Sequence, residues 1–227
     1  DNYDRSADKF NGEWAESNDL NNNTVVVPSK LILREETVNK DRGGASLFLD
    51  YRIPNGQLTA NTFYSHIASN SLIRINSMIL SAPGETNRHY YEMEERAGTT
   101  DILTGSLGIN QDFGWLQYDF SGSLTKTVTD NPEERTWRFN QEANAFDIYN
   151  FPAGTDPRTI PEHANIDTAL TRFAEVWIWD TNRKENENST QFNIELPITF
   201  GDDISGYLKT GAKFRWMDRK NDQEYHG

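Results

Sequence analysis

Apolar residues recur at every second position in three stretches of this chain, and each stretch doubles back through a tight polar turn. That period predicts β-strands with one greasy face and one wet face. The first stretch runs over 44–54, turns at Asn55-Gly56 and returns over 57–64. Asn-Gly predicts a type I′ hairpin turn, which needs positive φ at both central residues. Ala45, Leu47, Leu49, Tyr51 and Ile53 then share a face with Leu58, Ala60, Thr62 and Tyr64, while Ser46, Phe48, Asp50 and Arg52 point the other way. A second hairpin pairs 101–109 with 115–124 around Asp112-Phe113-Gly114. Leu103, Leu107, Ile109, Leu116, Tyr118, Phe120 and Leu124 form its greasy face, opposed by Thr104, Ser106, Asn110, Gln117, Asp119, Ser121 and Ser123. The third pairs 191–200 with 204–218 around Gly201-Asp202-Asp203. Phe192, Ile194, Leu196, Ile198, Phe200, Gly206, Leu208, Ala212, Phe214 and Trp216 stand against Asn193, Glu195, Lys209, Lys213 and Arg215.

Elsewhere the alternation weakens. Residues 1–23, rich in Asp, Asn and Ser, predict a polar loop. A strand is predicted over 30–38, after Pro28, and 67–79 is β-like up to a break at Ala82-Pro83-Gly84. Residues 130–185 predict a long loop punctuated by Pro132, Pro152, Pro157 and Pro161. Within it, Ala169, Leu170, Phe173, Val176 and Trp177 suggest a short helix over 166–179.

Only 35% of the 227 residues are hydrophobic, and mean hydropathy is -0.78. That composition is too polar for a deep soluble core and has no run of about 20 apolar residues for a helical span. A barrel tolerates it, because only alternate strand residues meet lipid. A soluble antiparallel sandwich shows the same alternation, so a secreted or periplasmic β-sandwich binding module is the alternative. Three features favour lipid: strands of about 10 residues or more, connections that alternate short and long, and rings beside the tight turns at Tyr51, Trp115, Tyr118 and Phe200. The fold expected is all-β, an antiparallel meander of long hairpins forming part of a transmembrane β-barrel.

Net charge is -13 and no basic tract occurs, which argues against nucleic-acid binding. Cysteine is absent. His66, His89, His163 and His226 lack metal-ligand spacing, and no calcium loop, carboxylate pair or nucleophile elbow is complete. The reading is therefore not an enzyme, with no cofactor and no metal site. Trp137, Phe139, Phe146, Tyr149, Phe151, Trp177 and Trp179 sit among amides and carboxylates in the long loop, a composition suited to sugars, peptides or chelates. The first of the two readings for them is ligand contact at an entrance; the other is packing of the loop on itself.

The phrase from Lys40 through Gly56, with Phe63-Tyr64-Ser65 after it, resembles the early barrel of TonB-dependent outer-membrane receptors, especially the Bacteroidetes-type ones. The run from Phe192 to Trp216 looks like a barrel hairpin of the same group, and the two together cover about half of the chain. The resemblance implies a barrel of about 22 strands filled by a plug, residing in the bacterial cell outer membrane. It implies active import of a scarce nutrient such as a siderophore, cobalamin, glycan or peptide. Its partners would be outer-membrane lipid, the plug, the TonB energy-coupling protein acting through that plug, and the small nutrient ligand. About eight strands are offered here and neither plug nor coupling motif is recognised. Both ends read as cuts, so 1–227 is expected to be a segment of the barrel with its plug upstream. On this resemblance Asp50, Arg52, Gln117, Asp119, Glu195, Lys209, Lys213 and Arg215 are assigned to the lumen, facing plug and substrate path. Simple lumen solvation is the competing role.

Overall fold

The computed structural model describes residues 2–18, 21–80, 87–148, 151–200 and 204–226. Seven strands follow one another in chain order and pair only with their sequence neighbours: β1 (Asn2–Asn18), β2 (Thr24–Ile53), β3 (Gly56–Ile79), β4 (Arg88–Asp112), β5 (Gln117–Gln141), β6 (Arg172–Phe200) and β7 (Ile204–His226). Every pairing is antiparallel. The sheet is a single layer and does not close, so the outer edges of β1 and β7 present unpaired ladders. A 3₁₀ helix (Pro157–His163) lies between β5 and β6.

Register decides which side chains share a face. One cross-strand row reads Tyr51, Leu58, Ile109, Phe120, Phe192, Ala212, and the next reads Leu49, Ala60, Leu107, Gly122, Thr190, Phe214. The intervening positions read Asp50, Thr59, Gly108, Ser121, Gln191, Lys213. The greasy positions of the three predicted hairpins thus meet on one face, and none of the described residues covers them: Leu107 is 69% exposed, Phe214 60% and Leu47 53%. The two-layer packing that a sandwich requires is not formed. Total accessible surface is 15434 Å², against about 10,500 Å² for a compact monomer of this 26.0 kDa mass.

The strands are 23–30 residues long from β2 to β7, more than twice the roughly 9–11 residues that cross a bilayer. The apolar band occupies the part nearest the short turns, for example Ala45–Ile53 in β2, and the surplus length extends toward the opposite end. There the connections are 19–23, 80–87 and 142–171.

Several local expectations are corrected. The 1–23 segment is not a loop: most of it is β1, held by the ladder to β2 in spite of its Asn, Asp and Ser content, because cross-strand pairing outweighs propensity. The strand expected over 30–38 begins at Thr24. Pro28, which lacks an N–H, is accommodated beside a register shift opposite Glu13 and Trp14. The 130–185 loop shrinks to 142–171, because β5 continues through Pro132 by a bulge in which Glu133 takes φ 49° and its N–H donates to Asp180. No helix spans 166–179. Asp167 caps a single turn, accepting from the Ala169 N–H at 2.8 Å, and β6 starts at Arg172. The break at 82–84 and the turn at 201–203 lie outside the described residues.

The first hairpin also turns one residue earlier than predicted, since Ile53 pairs with Gly56 and leaves Pro54 and Asn55 at the corner. Proline holds φ near -65°, and Asn55 takes φ 59°. A negative then positive φ is the type II pattern, so the proline excludes the I′ turn that Asn-Gly alone suggests. Gly56 is needed there for space: a Cβ would fall on the carbonyl oxygen of Asn110 in β4. Gly56→Ala should destabilise the sheet by about 1–3 kcal/mol, read as a lower urea midpoint of tryptophan fluorescence. An unchanged midpoint would mean that this corner does not set the β3–β4 register.

Candidate functional site

All eight residues assigned to the lumen fall on the polar face, opposite the apolar band. Asp50 accepts from Gln57 Nε2 at 2.5 and 2.6 Å, and Asp119 accepts from Asn193 Nδ2 at 2.9 Å. Gln117 pairs with Glu195 across β5–β6 and donates to Asp112 at the turn, while Lys209 meets Glu195 at 3.4 Å. Arg215 grips Glu187 with two bonds of 2.7 Å. Arg52 stands opposite Gln57 and Lys213 opposite Gln191. Between these charges run hydroxyl pairs: Ser123 with Ser189 at 2.8 Å, Thr104 with Thr125 at 3.2 Å, Thr100 with Thr129 at 3.3 Å. The result is a wet ladder of exposed and partly buried polar contacts, whose exposed ion pairs are worth about 0–1 kcal/mol each and exchange easily for water or solute.

An apolar island interrupts this face. Phe63 stands diagonally beside Ile102 on the polar side of the sheet, and Phe48, 71% exposed, lies diagonally beyond Phe63 on β2. A cavity of about 610 Å³ opens among Arg42, Gly44, Ser46, Phe63, Ser65 and Ile102. The sequence signal for it is Phe48 breaking the polar side of an otherwise regular alternation. The lumen assignments above, confined to polar side chains, passed over it.

Farther along the same face, where the strands outrun the apolar band, charged side chains link neighbouring strands. Arg138 bonds Glu92 at 3.1 Å on one side and Glu175 on the other, and its guanidinium lies 4.5 Å from the centre of the Trp177 ring. Trp179 leans on Tyr225 with centroids 6.3 Å apart.

The aromatic residues of the long-loop segment are not gathered at one site. Trp177 and Trp179 belong to the polar-face group just described. Trp137 and Phe139 point from the opposite face, as their pairing with Met93 and Tyr91 requires. Phe139 helps line a cavity of about 590 Å³ with Phe10, Leu33, Tyr91 and Met93. Phe146 is buried, and Tyr149 lies outside the described residues. A single aromatic platform is therefore absent among the described residues, because adjacent strand positions face opposite ways.

Phe146 instead anchors a cap. The 142–171 connection folds down on the end of the sheet that is remote from the short turns, and its Ala145, Phe146, Phe151 and Ile160 pack with Leu31, Met78 and Leu80. This is the only buried apolar cluster among the described residues, and Phe151 follows the packing role weighed for these rings. Two fully buried polar side chains moor it. Gln141 donates to the Asn165 carbonyl at 2.8 Å and accepts from the Asp167 N–H at 3.1 Å. His89 donates from Nε2 to the Ala145 carbonyl at 2.8 Å and stacks on Phe146, centroids 4.6 Å apart, and on Tyr91. Burial holds the His89 imidazole below the ordinary histidine range, partly offset by the Ala145 bond, and pushes the Tyr91 phenol up. Sequence reasoning treated His89 as an isolated histidine; its role comes from a loop more than fifty residues away.

The chain matches no protein-family model, and no curated protein matches it.

Because the docked cap holds His89 neutral, the undocked state binds more protons, and docking weakens as pH falls through about 6.5. Protection of residues 142–171 against hydrogen exchange, corrected for the intrinsic pH dependence of the amides, should therefore fall below that pH in a His163→Asn background, which removes the separate His163–Asp147 pair. His89→Gln should abolish the dependence; a persistent dependence would exclude His89 as its source. Gln141→Ala, which strips the partly buried Asn165 carbonyl and Asp167 N–H of their partner, should loosen the cap by about 1–3 kcal/mol at every pH, measured by the same exchange.

Proposed function

We propose that this chain is a wall segment of a transmembrane β-barrel belonging to an active outer-membrane importer of the TonB-dependent kind, passing a scarce nutrient along its polar face. The observation that carries the reading is the uncovered apolar band. At least thirteen large apolar side chains on one face of a one-layer meander are more than a third exposed, and such a face has no stable place in water. Hydrocarbon removes the cost, and closure of the sheet by further strands removes both open edges.

The band also drifts across the strands in the way a barrel requires. Ile53 is its last member in β2, and the same row reaches Ile194 in β6, yet there the band continues through Leu196 to Ile198. It has moved four residues along the strands, the stagger that tilts strands in a closed barrel. At its upper limit Tyr64 donates to Asp101 at 2.6 Å, which suits a ring held at the headgroup level. With the band in lipid, the charged and hydroxyl-lined face becomes the lumen. Its weak contacts suit a plug that docks and moves, and Phe48, Phe63 and Ile102 offer that plug or the ligand an apolar hold. The strands beyond the band, with Arg138, Trp177 and Trp179, stand outside the cell as the entrance.

In fractionated cells, an antibody against this segment should detect a large polypeptide in the outer membrane whose gel migration changes on heating. A water-soluble species near 26 kDa would overturn the reading. Leu107→Arg should cost about 2–4 kcal/mol near the midplane and reduce assembled barrel, whereas Lys209→Leu on the opposite face should leave assembly intact.

A further inference from the structure

Two lysines face each other across the last ladder on the apolar side of the sheet. Lys184 of β6 and Lys220 of β7 are directly opposite each other, a placement that destabilises a sheet. Lys126 of β5 joins them: it pairs with Asn186, one step along the same face from Lys184, and so sits diagonally beside it. All three are exposed. Lys220 is held by Asp222 at 2.8 Å, and Asp218 lies one step from it beside Trp216. Among the described residues Lys126 and Lys184 have no ion-pair partner. The cluster stands immediately above the apolar band, since Lys126 follows Leu124 by one step and Leu103 is its neighbour in β4.

Below the lysines the band is furrowed. Ala60, Gly105 and Gly122 leave a trough between the ridges of Leu47, Leu49, Leu107 and Leu124, with a volume of about 540 Å³. A second hollow of about 440 Å³ shares Leu49, Ala60, Leu107 and Phe120 with it and continues toward Tyr51. The two form one apolar trough that runs along the face, with its upper end beside Lys126. A bare ion would use only the lysines and a neutral hydrocarbon only the trough.

From this juxtaposition we propose a lipid site: a phosphate-bearing lipid lays an acyl chain in the trough and sets its phosphate between Lys126 and Lys184. The site rests on the membrane reading of the preceding subsection and goes beyond it, because bulk lipid contact requires neither a furrow nor unpaired ammonium groups. The phosphate gives Lys126 and Lys184 the anionic partner that Lys220 already has in Asp222.

The test uses the native polypeptide carrying this sequence, purified into nanodiscs of phosphatidylcholine with a minor share of phosphatidylglycerol, and native mass spectrometry of what it retains in detergent. Phosphatidylglycerol should be retained over phosphatidylcholine. The double variant Lys126→Gln, Lys184→Gln should weaken retention about thirtyfold, from the usual worth of a lysine at an anionic surface. Gly105→Leu, whose Cβ enters open space, should fill the trough and reduce retention with the lysines intact. Inorganic phosphate should not displace the lipid at equal concentration. Equal retention of both lipids, indifference to either variant, or displacement by phosphate alone would overturn the site while leaving the membrane reading in place. A polypeptide that fails to enter the membrane fraction at all would overturn both.

Discussion

A one-layer sheet satisfies its backbone completely between neighbours but has no second layer with which to hide a greasy face. Everything else in this molecule follows from that mismatch. Six antiparallel ladders pair the backbone groups along strands of up to 30 residues, so polar satisfaction is nearly solved within the sheet. Burial is not. The band from Leu47 across Leu107 to Phe214 would cost heavily in water at about 25 cal/mol per Å², and the proposed hydrocarbon setting is the solvent in which that face and those ladders are stable together.

Once the band is placed in lipid, the remaining features acquire consistent positions. Charged and hydroxyl side chains concentrate on the opposite face, where exposed pairs such as Lys209–Glu195 hold shape without locking it. The strands outrun the band at one end only, and there the chain meets water on both sides. It is at this end that a buried cluster forms: 142–171 supplies Phe146, Phe151 and Ile160 to cover Leu31 and Met78. The cap packs as a small soluble core attached to a sheet that has no other buried apolar cluster among the described residues, and its mooring through Gln141 and His89 is polar and specific.

The two faces also meet their surroundings differently at the level of single residues. Phe48 and Phe63 are apolar on a wet face; Lys126 and Lys184 are charged at the margin of a greasy one. Each breaks the local pattern in a place where the sheet offers no internal compensation, and such places are where a partner's chemistry is most legible. On the proposed reading the partner on the polar side would be a plug or a solute, and the partner on the apolar side a lipid with a charged headgroup.

What the amino-acid order determined by itself was the alternation. It assigned the faces of all three hairpins, the separation of Asp50, Arg52, Gln117, Asp119, Glu195, Lys209, Lys213 and Arg215 from the apolar band, and the short-turn end of the sheet, because a period of two is a property of the extended backbone and survives any packing. Tertiary structure decided the rest. β1 exists because a polar, unpatterned segment found an edge to pair with, and residues 172–179 became strand rather than helix because β5 ran beside them through the Pro132–Glu133 bulge. The aromatic residues of the long loop were visible as a cluster in sequence, yet Trp137 and Trp177 went to opposite faces and Phe146 into the cap. Their grouping depended on register and on a loop folding back, which are contacts between distant parts of the chain that no local pattern encodes.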